Sequence, residues 1–318
     1  MNRRTRRTLL IVAAVLVLLA VAVFLRSKAP PEAARLLPEC DGMVYVDLKP
    51  LRAFVHASLK PLPHDAGYQR FLDGVGIDPE RDLDQAAVAL HAMADPNGPN
   101  GPVAYSMVLV GRLTGQRLNN WLEAHATARE DYGGHTIYSV PSENRTVRVA
   151  QIGYDMIAVS NYPTTEKIHA MIDRHRTAAL PFSGSTLLER HYRDVPLLSL
   201  AWGVGKIGLP FSEKGSISVL GFRLPLEADA TLVASVRWAG TLHLRLEEFA
   251  PSEQKAERQA AALATLLTLA RDFAAPLGDN TANNGLREVL ATAAVEQKHE
   301  RVTLTATLGQ SSMAGLMR

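Results

Sequence analysis

Ala230-Thr231-Leu232-Val233-Ala234-Ser235-Val236-Arg237 and Thr241-Leu242-His243-Leu244-Arg245-Leu246-Glu247-Glu248 flank the short turn Trp238-Ala239-Gly240. Two β-rich runs this close in sequence read as a hairpin, which makes the sheet antiparallel at this point. Further along, Arg301 to Leu308 alternates Val302, Leu304, Ala306 and Leu308 with polar residues, the pattern of a half-buried closing strand. Between them lies the longest soluble helix, expected from about Ser252 to Phe273. Ala256, Ala260, Leu263, Leu267 and Ala270 form its inner face, and Pro276 and Gly278 stop it. Asn284-Gly285 is expected to open a further helix.

The same alternation of elements is found upstream. Met43-Val44-Tyr45-Val46-Asp47-Leu48 reads as a first strand, followed by a helix from about Pro50 to Leu59. Asp78 to Asp84 reads as a loop, and the apolar run Ala86 to Ala92 joins the strand Val103 to Leu113 through the turn-dense Asp95 to Pro102, as a long hairpin. Residues 115–128 have helical spacing, with Leu118, Trp121, Leu122 and His125 on one face. Strands follow at His135–Val140, Thr146–Ile152 and Met156–Ser160, then a helix from Thr164 to about Arg176. In the second half Ser185–Arg193 is a short helix, Pro196 opens an apolar strand Leu197–Trp202, and Ile217–Phe222 is a further strand.

The N-terminus sets the compartment. Arg3, Arg4, Arg6 and Arg7 precede an apolar run from Leu9 to Leu25 that contains no charge, Pro or Gly. Such a run approaches the length of a bilayer core, and arginines stay on the cytoplasmic side. Only Arg26 and Lys28 lie on the far flank. The expectation is a single-pass protein of the cytoplasmic (inner) membrane, N-terminus inside and C-terminal domain outside. Phe24-Leu25-Arg26-Ser27-Lys28 is a poor cleavage site, which favours a retained anchor over a signal peptide. Thr5-Arg6-Arg7-Thr8-Leu9-Leu10 also matches a twin-arginine export string, but it sits in a wider arginine cluster that topology explains. Glu39 before Cys40 argues against lipidation.

The predicted architecture is therefore α+β. An N-terminal transmembrane helix is followed by an exported domain of two loosely repeated α/β halves with mainly antiparallel sheet. Residues 1–28 are the cytoplasmic tip and anchor, 29–41 a linker read from Ala29-Pro30-Pro31-Glu32-Ala33-Ala34, 42–177 the first half and 178–318 the second. Folded structure is expected to begin at Asp41-Gly42.

The chain holds 34 Lys and Arg against 32 Asp and Glu; removing the six basic residues of 1–28 leaves 28 against 32, a net −4. A nucleic-acid binder carries the opposite sign or a basic stripe. The single cysteine excludes an intrachain disulfide. Cys40 reads as a small apolar residue leading into a strand, with a bridge between two copies as the alternative.

Catalytic and cofactor motifs are matched only as strings. Gly203-Val204-Gly205-Lys206-Ile207-Gly208 fits the dinucleotide fingerprint, but Leu209-Pro210-Phe211 leaves no helix to hold a pyrophosphate. Ser252-Glu253-Gln254-Lys255 fits an acyl-serine string, but Ser252 stands where an N-cap is needed. His169 and His175, six apart on a helix, point to different faces, and His299-Glu300 is isolated. Asp73, Asp78, Glu80, Asp82 and Asp84 lack the ligand order of a calcium loop, so caps and turns are expected. Asn144-Arg145-Thr146 is a glycosylation string, relevant only in a eukaryotic secretory route. No catalytic, cofactor or metal residue is assigned.

The leader and linker, Leu37-Pro38 ahead of Met43–Leu48, and the strand exit Val110-Gly111-Arg112-Leu113 resemble a bacterial domain-of-unknown-function family of single-anchor exported proteins. The resemblance implies an exported α/β domain and supplies no catalytic residue. The functional expectation is a non-enzymatic binding or scaffold module. The bilayer is its partner through the N-terminal helix, a protein partner outside the cytoplasm is possible, and nucleic acid is not a partner. The alternatives are an apolar-ligand pocket, suggested by Leu197–Trp202 and the long Ala/Leu-rich helix, and a hydrolase assembled from residues distant in sequence.

Overall fold

The computed structural model describes residues 29–55, 66–113, 115–142, 144–177, 184–206, 216–219, 222–226, 229–276 and 281–309. The arginine cluster Arg3, Arg4, Arg6 and Arg7 and the apolar run Leu9 to Leu25 lie outside these residues. Among the described residues no helix is long and apolar enough to cross a membrane.

The described residues begin with helix α1 (Glu32–Leu36), strand β1 (Gly42–Asp47), and helices α2 (Leu48–Val55), α3 (Ala66–Val75) and α4 (Pro79–Asp82). Strands β2 (Leu83–Ala92) and β3 (Val103–Gly111) form the expected hairpin, followed by helix α5 (Gln116–His125). Strands β4 (Ala128–Tyr132), β5 (His135–Ser142), β6 (Arg145–Gln151) and β7 (Met156–Ser160) form a meander that ends in helix α6 (Glu166–Arg176). Helix α7 (Thr186–His191) and a single 3₁₀ turn, Tyr192–Asp194, lead to β8 (Ser199–Lys206). The small hairpin β9 (Ser216–Val219) and β10 (Phe222–Pro225) stands apart from the hairpin β11 (Thr231–Trp238) and β12 (Leu242–Phe249). Helices α8 (Glu253–Ala274) and α9 (Thr281–Thr292) and strands β13 (Ala294–Lys298) and β14 (Arg301–Leu308) complete the order.

Twelve strands form one sheet in the order β13-β14-β12-β11-β8-β1-β2-β3-β7-β6-β5-β4, and every pairing in it is antiparallel. The two strands that follow the short helices α1 and α7 meet at its centre. β1 and β8 pair Met43 with Val204 and Tyr45 with Trp202, whose rings stack 5.5 Å apart. From that seam the paths β1-β2-β3-β7 and β8-β11-β12-β14 run outward in the same sequence of strand, hairpin and returning strand.

Strand pleating sends alternate residues to opposite faces. On one face Met43, Tyr45, Ala87, Ala89, Val108, Trp202, Val204 and Val233 form the main core against α1, α6 and α7. On the other, Tyr105, Met107, Leu109, Val149, Ile157 and Val159 meet Val75 of α3 and Leu118 and Leu122 of α5. In the second half that face carries Leu242, Leu244, Val302, Ala306 and Leu308, covered by α8 and α9.

Several expectations are corrected. The linker reading of 29–41 fails because Ala33, Ala34, Leu36 and Leu37 are at most 1% exposed and belong to the main core. A pair of small alanines lets α1 lie close on the sheet and on α6, and folded structure starts before Asp41. Asp78–Asp84 is not all loop: Asp78 accepts the Glu80 N–H and Pro79 takes the first helical position of α4. The helix expected from Pro50 begins at Leu48, leaving Pro50 in its first turn, and its expected end, 56–59, lies outside the described residues. Leu197 and Leu198 form an exposed turn rather than strand, with Leu198 at φ +62°, because Pro196 sets the turn and pairing starts at Ser199. The strand expected over Ile217–Phe222 is two strands, and Asn284-Gly285 lies inside α9 rather than at its start. Strands β4 and β13 had no counterpart in the sequence reading.

Candidate functional site

The feature that most resembles catalytic machinery is a chain of hydroxyls and one imidazole across β2, β3 and β7. His91 Nε2 and Ser106 Oγ are 2.9 Å apart, and Ser106 Oγ and Ser160 Oγ are 3.0 Å apart. The Tyr162 N–H donates to Ser160 Oγ at 3.2 Å. The His91 ring also bonds the Glu39 backbone, which leaves Nε2 to accept from the Ser106 hydroxyl. Burial, then the nearby Lys167 charge, pulls the His91 pKa down to about 4. A neutral histidine next to serine is what a nucleophile–base pair requires. Access decides against that role: Ser106 and Ser160 are 0% exposed and His91 3%. No substrate carbonyl reaches an oxygen sealed between strands and helices, so the chain acts as a buried fastener whose polar atoms satisfy one another. Register explains why these residues meet: Ser106 pairs directly with Ser160 across β3 and β7.

A second buried polar group ties the 3₁₀ turn to the sheet. Glu247, 1% exposed, accepts from Arg245 and, at 3.2 Å, from Arg301, whose other nitrogen reaches Asp194 at 3.0 Å. The Arg301 guanidinium also covers the Phe249 ring at 4.5 Å. Glu247 and Asp194 are thus answered within the fold by Arg245, Arg301 and, at 4.0 Å from Asp194, Arg193.

Among the described residues an open site lies on the face covered by α5. Leu118 and Leu122 seat this helix on the sheet, each contributing about 1.5–3 kcal/mol of apolar burial. Trp121, edge-on to Phe71 at 5.2 Å, ties it to α3. This ten-residue helix packs on β5 and shares its apolar cluster with Val149 of β6 and Ile157 of β7. There a cleft of about 440 Å³ opens, floored by Leu118, Leu122, Tyr138, Val149 and Ile157. Its rim is Asn119 and Glu123 from α5, Thr136 from β5, Gln151 from β6 and Tyr154 from the β6–β7 turn. Local bonds hold the rim: the Gln151 amide donates to the Gly153 carbonyl at 3.2 Å, and the Thr136 hydroxyl donates to Asp131 at 2.9 Å. Tyr154 is 90% exposed. In the second half α8 and α9 together fill the corresponding face with packed side chains.

A second cleft, about 510 Å³, lies at the other end of the same strands, between the 95–102 loop and the β5–β6 turn. Its main polar groups are already committed: Arg145 donates to the Val103 carbonyl at 2.7 Å, and Asn161 accepts the Tyr105 N–H at 2.7 Å. Asn144 of the glycosylation string lines this cleft.

The motif residues fall into structural places. Gly203, Val204 and Gly205 lie within β8, paired with Val44, Met43 and Gly42, so they form ladder rather than a phosphate loop. Ser252 caps α8, its hydroxyl accepting the Lys255 N–H. His169 stacks on Tyr132 and faces Glu130, while His175 lies near His135. The acidic cluster disperses. Asp73 accepts from Gln69, and Asp84 pairs with Lys49 and Arg52. Asp82 pairs with Arg81 and Arg112; burial alone would raise its carboxyl, but these arginines and the Asp78 N–H hold it below the usual range. Among the described residues no group of three His, Cys, Asp or Glu side chains converges to hold a metal. Cys40 packs against the main core, and burial pushes its thiol up to about 12. Of the features that suggested an apolar-ligand pocket, Leu197–Trp202 and the long Ala/Leu-rich helix, Leu200, Trp202, Ala256 and Leu263 are buried, whereas Leu197, Leu198, Leu269 and Phe273 are exposed.

The sequence reading placed Leu118 and Leu122 on one helical face but missed the rim, which gathers from four elements. Gly134 and Gly153, in the turns that border the cleft, were the available signal.

No family model matches the chain, and no curated protein matches it. Among solved structures it is similar to crystal form III of TP0453, with a TM-score of 0.47 and 11% identity over 91% of this chain and 98% of that one. Crystal form I of TP0453 gives 0.45 and 12% over the same shares, and crystal form IV gives 0.43 and 13% over 90% and 96%.

Proposed function

We propose that this chain is a single-pass, membrane-anchored, extracytoplasmic binding module, and that the cleft beside α5 is its ligand site. The carrying observation is the contrast between the two polar constellations of the first half. The Ser–His chain is sealed, whereas the cleft is open, has an apolar floor, and is rimmed by Asn119, Glu123, Thr136, Gln151 and Tyr154. Sites for small ligands have this build of apolar walls with a few convergent polar groups, and 440 Å³ falls within the usual range of about 300–1,000 Å³. The lining includes one carboxylate, Glu123, and no Ser, Cys or Lys side chain, and the reading rests on the contacts these residues offer a ligand.

The anchor supports the placement. Six residues lie between Leu25 and Glu32, a reach of at most about 25 Å. Helix α1 lies on the face of the main core, and the cleft opens on the opposite face. In this reading the domain sits close to the bilayer with the cleft turned away from it. The two outward paths from the β1–β8 seam are read as two copies of one unit, of which the first keeps an open site and the second has filled its own with α8 and α9.

Full-length protein purified from native membranes in mild detergent, followed by mass spectrometry of all that accompanies it, tests this reading. A stoichiometric companion lost on Tyr154→Ala supports it; a chain that emerges alone, or with a companion indifferent to the cleft, overturns it.

A further inference from the structure

We infer that the cleft takes a neutral polyhydroxylated ligand, a short stretch of glycan; this rests on the binding reading above and names its ligand class. The lining supplies two side-chain amides, Asn119 and Gln151, the hydroxyls of Thr136, Tyr138 and Tyr154, the His135 imidazole and one carboxylate, Glu123, with no Lys or Arg. Amides both donate and accept, and a carboxylate accepts up to about four hydrogen bonds. That mixture answers vicinal hydroxyls, which donate and accept from the same atom. The Arg129 guanidinium is taken up by Glu123 at 3.8 Å and lies over the Tyr138 ring, and the lining adds no Lys or Arg to answer phosphate or sulfate.

The apolar side has the matching form. Tyr138 lies in the floor and Tyr154 stands at the rim with 90% of its surface exposed, in a turn between two strands. A large aromatic left in water at the mouth of a cleft is a rigid platform with little rotamer entropy to lose on binding. Sugar rings present one face of C–H groups and an edge of hydroxyls. The C–H face suits the tyrosine ring, and the edge suits the amides and Glu123. The rim is set by backbone-anchored bonds, Gln151 to Gly153 and His135 to the Gln151 carbonyl at 2.8 Å, so little ordering remains for the ligand to impose.

The experiment uses the full chain in phospholipid nanodiscs, free of glycoside detergents. Saturation-transfer NMR and calorimetry are run with two soluble probes, β-1,4-linked N-acetylglucosamine oligomers and α-1,4-linked glucose oligomers. The inference expects saturation transfer to at least one probe, binding weakened at least tenfold by Tyr154→Ala and at least fivefold by Asn119→Ala, and no change with Leu198→Ala, which lies far from the rim in sequence and in the fold. Because Tyr154 and Asn119 are exposed, both variants should keep the wild-type melting temperature, which is recorded alongside. Preference between the probes identifies whether amino-sugar or plain-sugar chemistry is read. No transfer from either probe at millimolar concentration overturns the inference, as does binding that Tyr154→Ala leaves unchanged. Tyr154-dependent binding of an apolar peptide without sugar binding overturns the ligand class and leaves the binding site standing. Failure of native capture as well removes both.

Discussion

At the scale of single residues, the fastener of His91, Ser106 and Ser160 makes stability depend on pH. The His91 pKa is depressed from about 6.5 to about 4 by burial and the Lys167 charge. The unfolded chain therefore takes up its proton first, so this contribution is intact above pH 6.5 and is lost as pH falls toward 4. The full loss is about 3 kcal/mol. Chemical denaturation of wild type and His91→Gln at pH 7 and pH 4.5 should show the wild type losing more stability over that interval; equal losses would remove His91 as the cause. Ser160→Ala should cost about 1–3 kcal/mol at pH 7, because it strips the Tyr162 N–H of its acceptor inside the fold. A melting temperature unchanged by that substitution would contradict the fastener role.

Elements show where the sequence spoke and where it was silent. The hairpins β2–β3 and β11–β12, the long helix α8 and the closing strand β14 were legible because each repeats its period over eight residues or more and ends in turn chemistry. Strand β4 was not: Ala128-Arg129-Glu130-Asp131-Tyr132 lies at a sheet edge, carries charge as edges do, and shows no apolar alternation. Its one signal was Gly133-Gly134, whose φ values of +58° and +85° close a two-residue hairpin turn to β5. Strand β13 is the opposite edge, and its turn into β14 uses His299 at φ +54°, a residue type that gives no turn signal. Helix α1 was hidden by its prolines, which read as linker while Ala33, Ala34 and Leu36 packed into the core. Leu36→Ala should therefore lower stability by about 2–5 kcal/mol in urea unfolding, where a linker residue would cost nothing measurable. Gly111 gives a second test at this scale. Its φ is +158°, and an added Cβ would lie 2.1 Å from the Asp82 carbonyl oxygen, so Gly111→Ala should displace α4 from the end of β3 and lower the melting temperature by several degrees.

For the whole molecule, an unbroken twelve-stranded sheet explains how a chain with one cysteine and no intrachain disulfide is held together. Each strand except the two at the edges has hydrogen-bonded neighbours on both sides, and helices bury apolar side chains on both faces. The candidate site was the least legible feature, because its rim comes from Asn119, Thr136, Gln151 and Tyr154, ordinary surface residues until the meander and α5 bring them together. The arginine bias makes a topology prediction: a reporter active only outside the cytoplasm, fused after residue 318, should be active, and reversing the charges of Arg3, Arg4, Arg6 and Arg7 should reduce that activity. The central claim is that the α5 cleft is where this protein meets its ligand. The most direct measurement places a photo-crosslinking residue at position 154 in intact cells, with the same residue at position 273 on the outer side of α8 as the comparison. The account predicts a discrete adduct from position 154 that Glu123→Gln or Asn119→Ala diminishes, and none from 273. Adducts absent from 154, or equal at both positions, would contradict it.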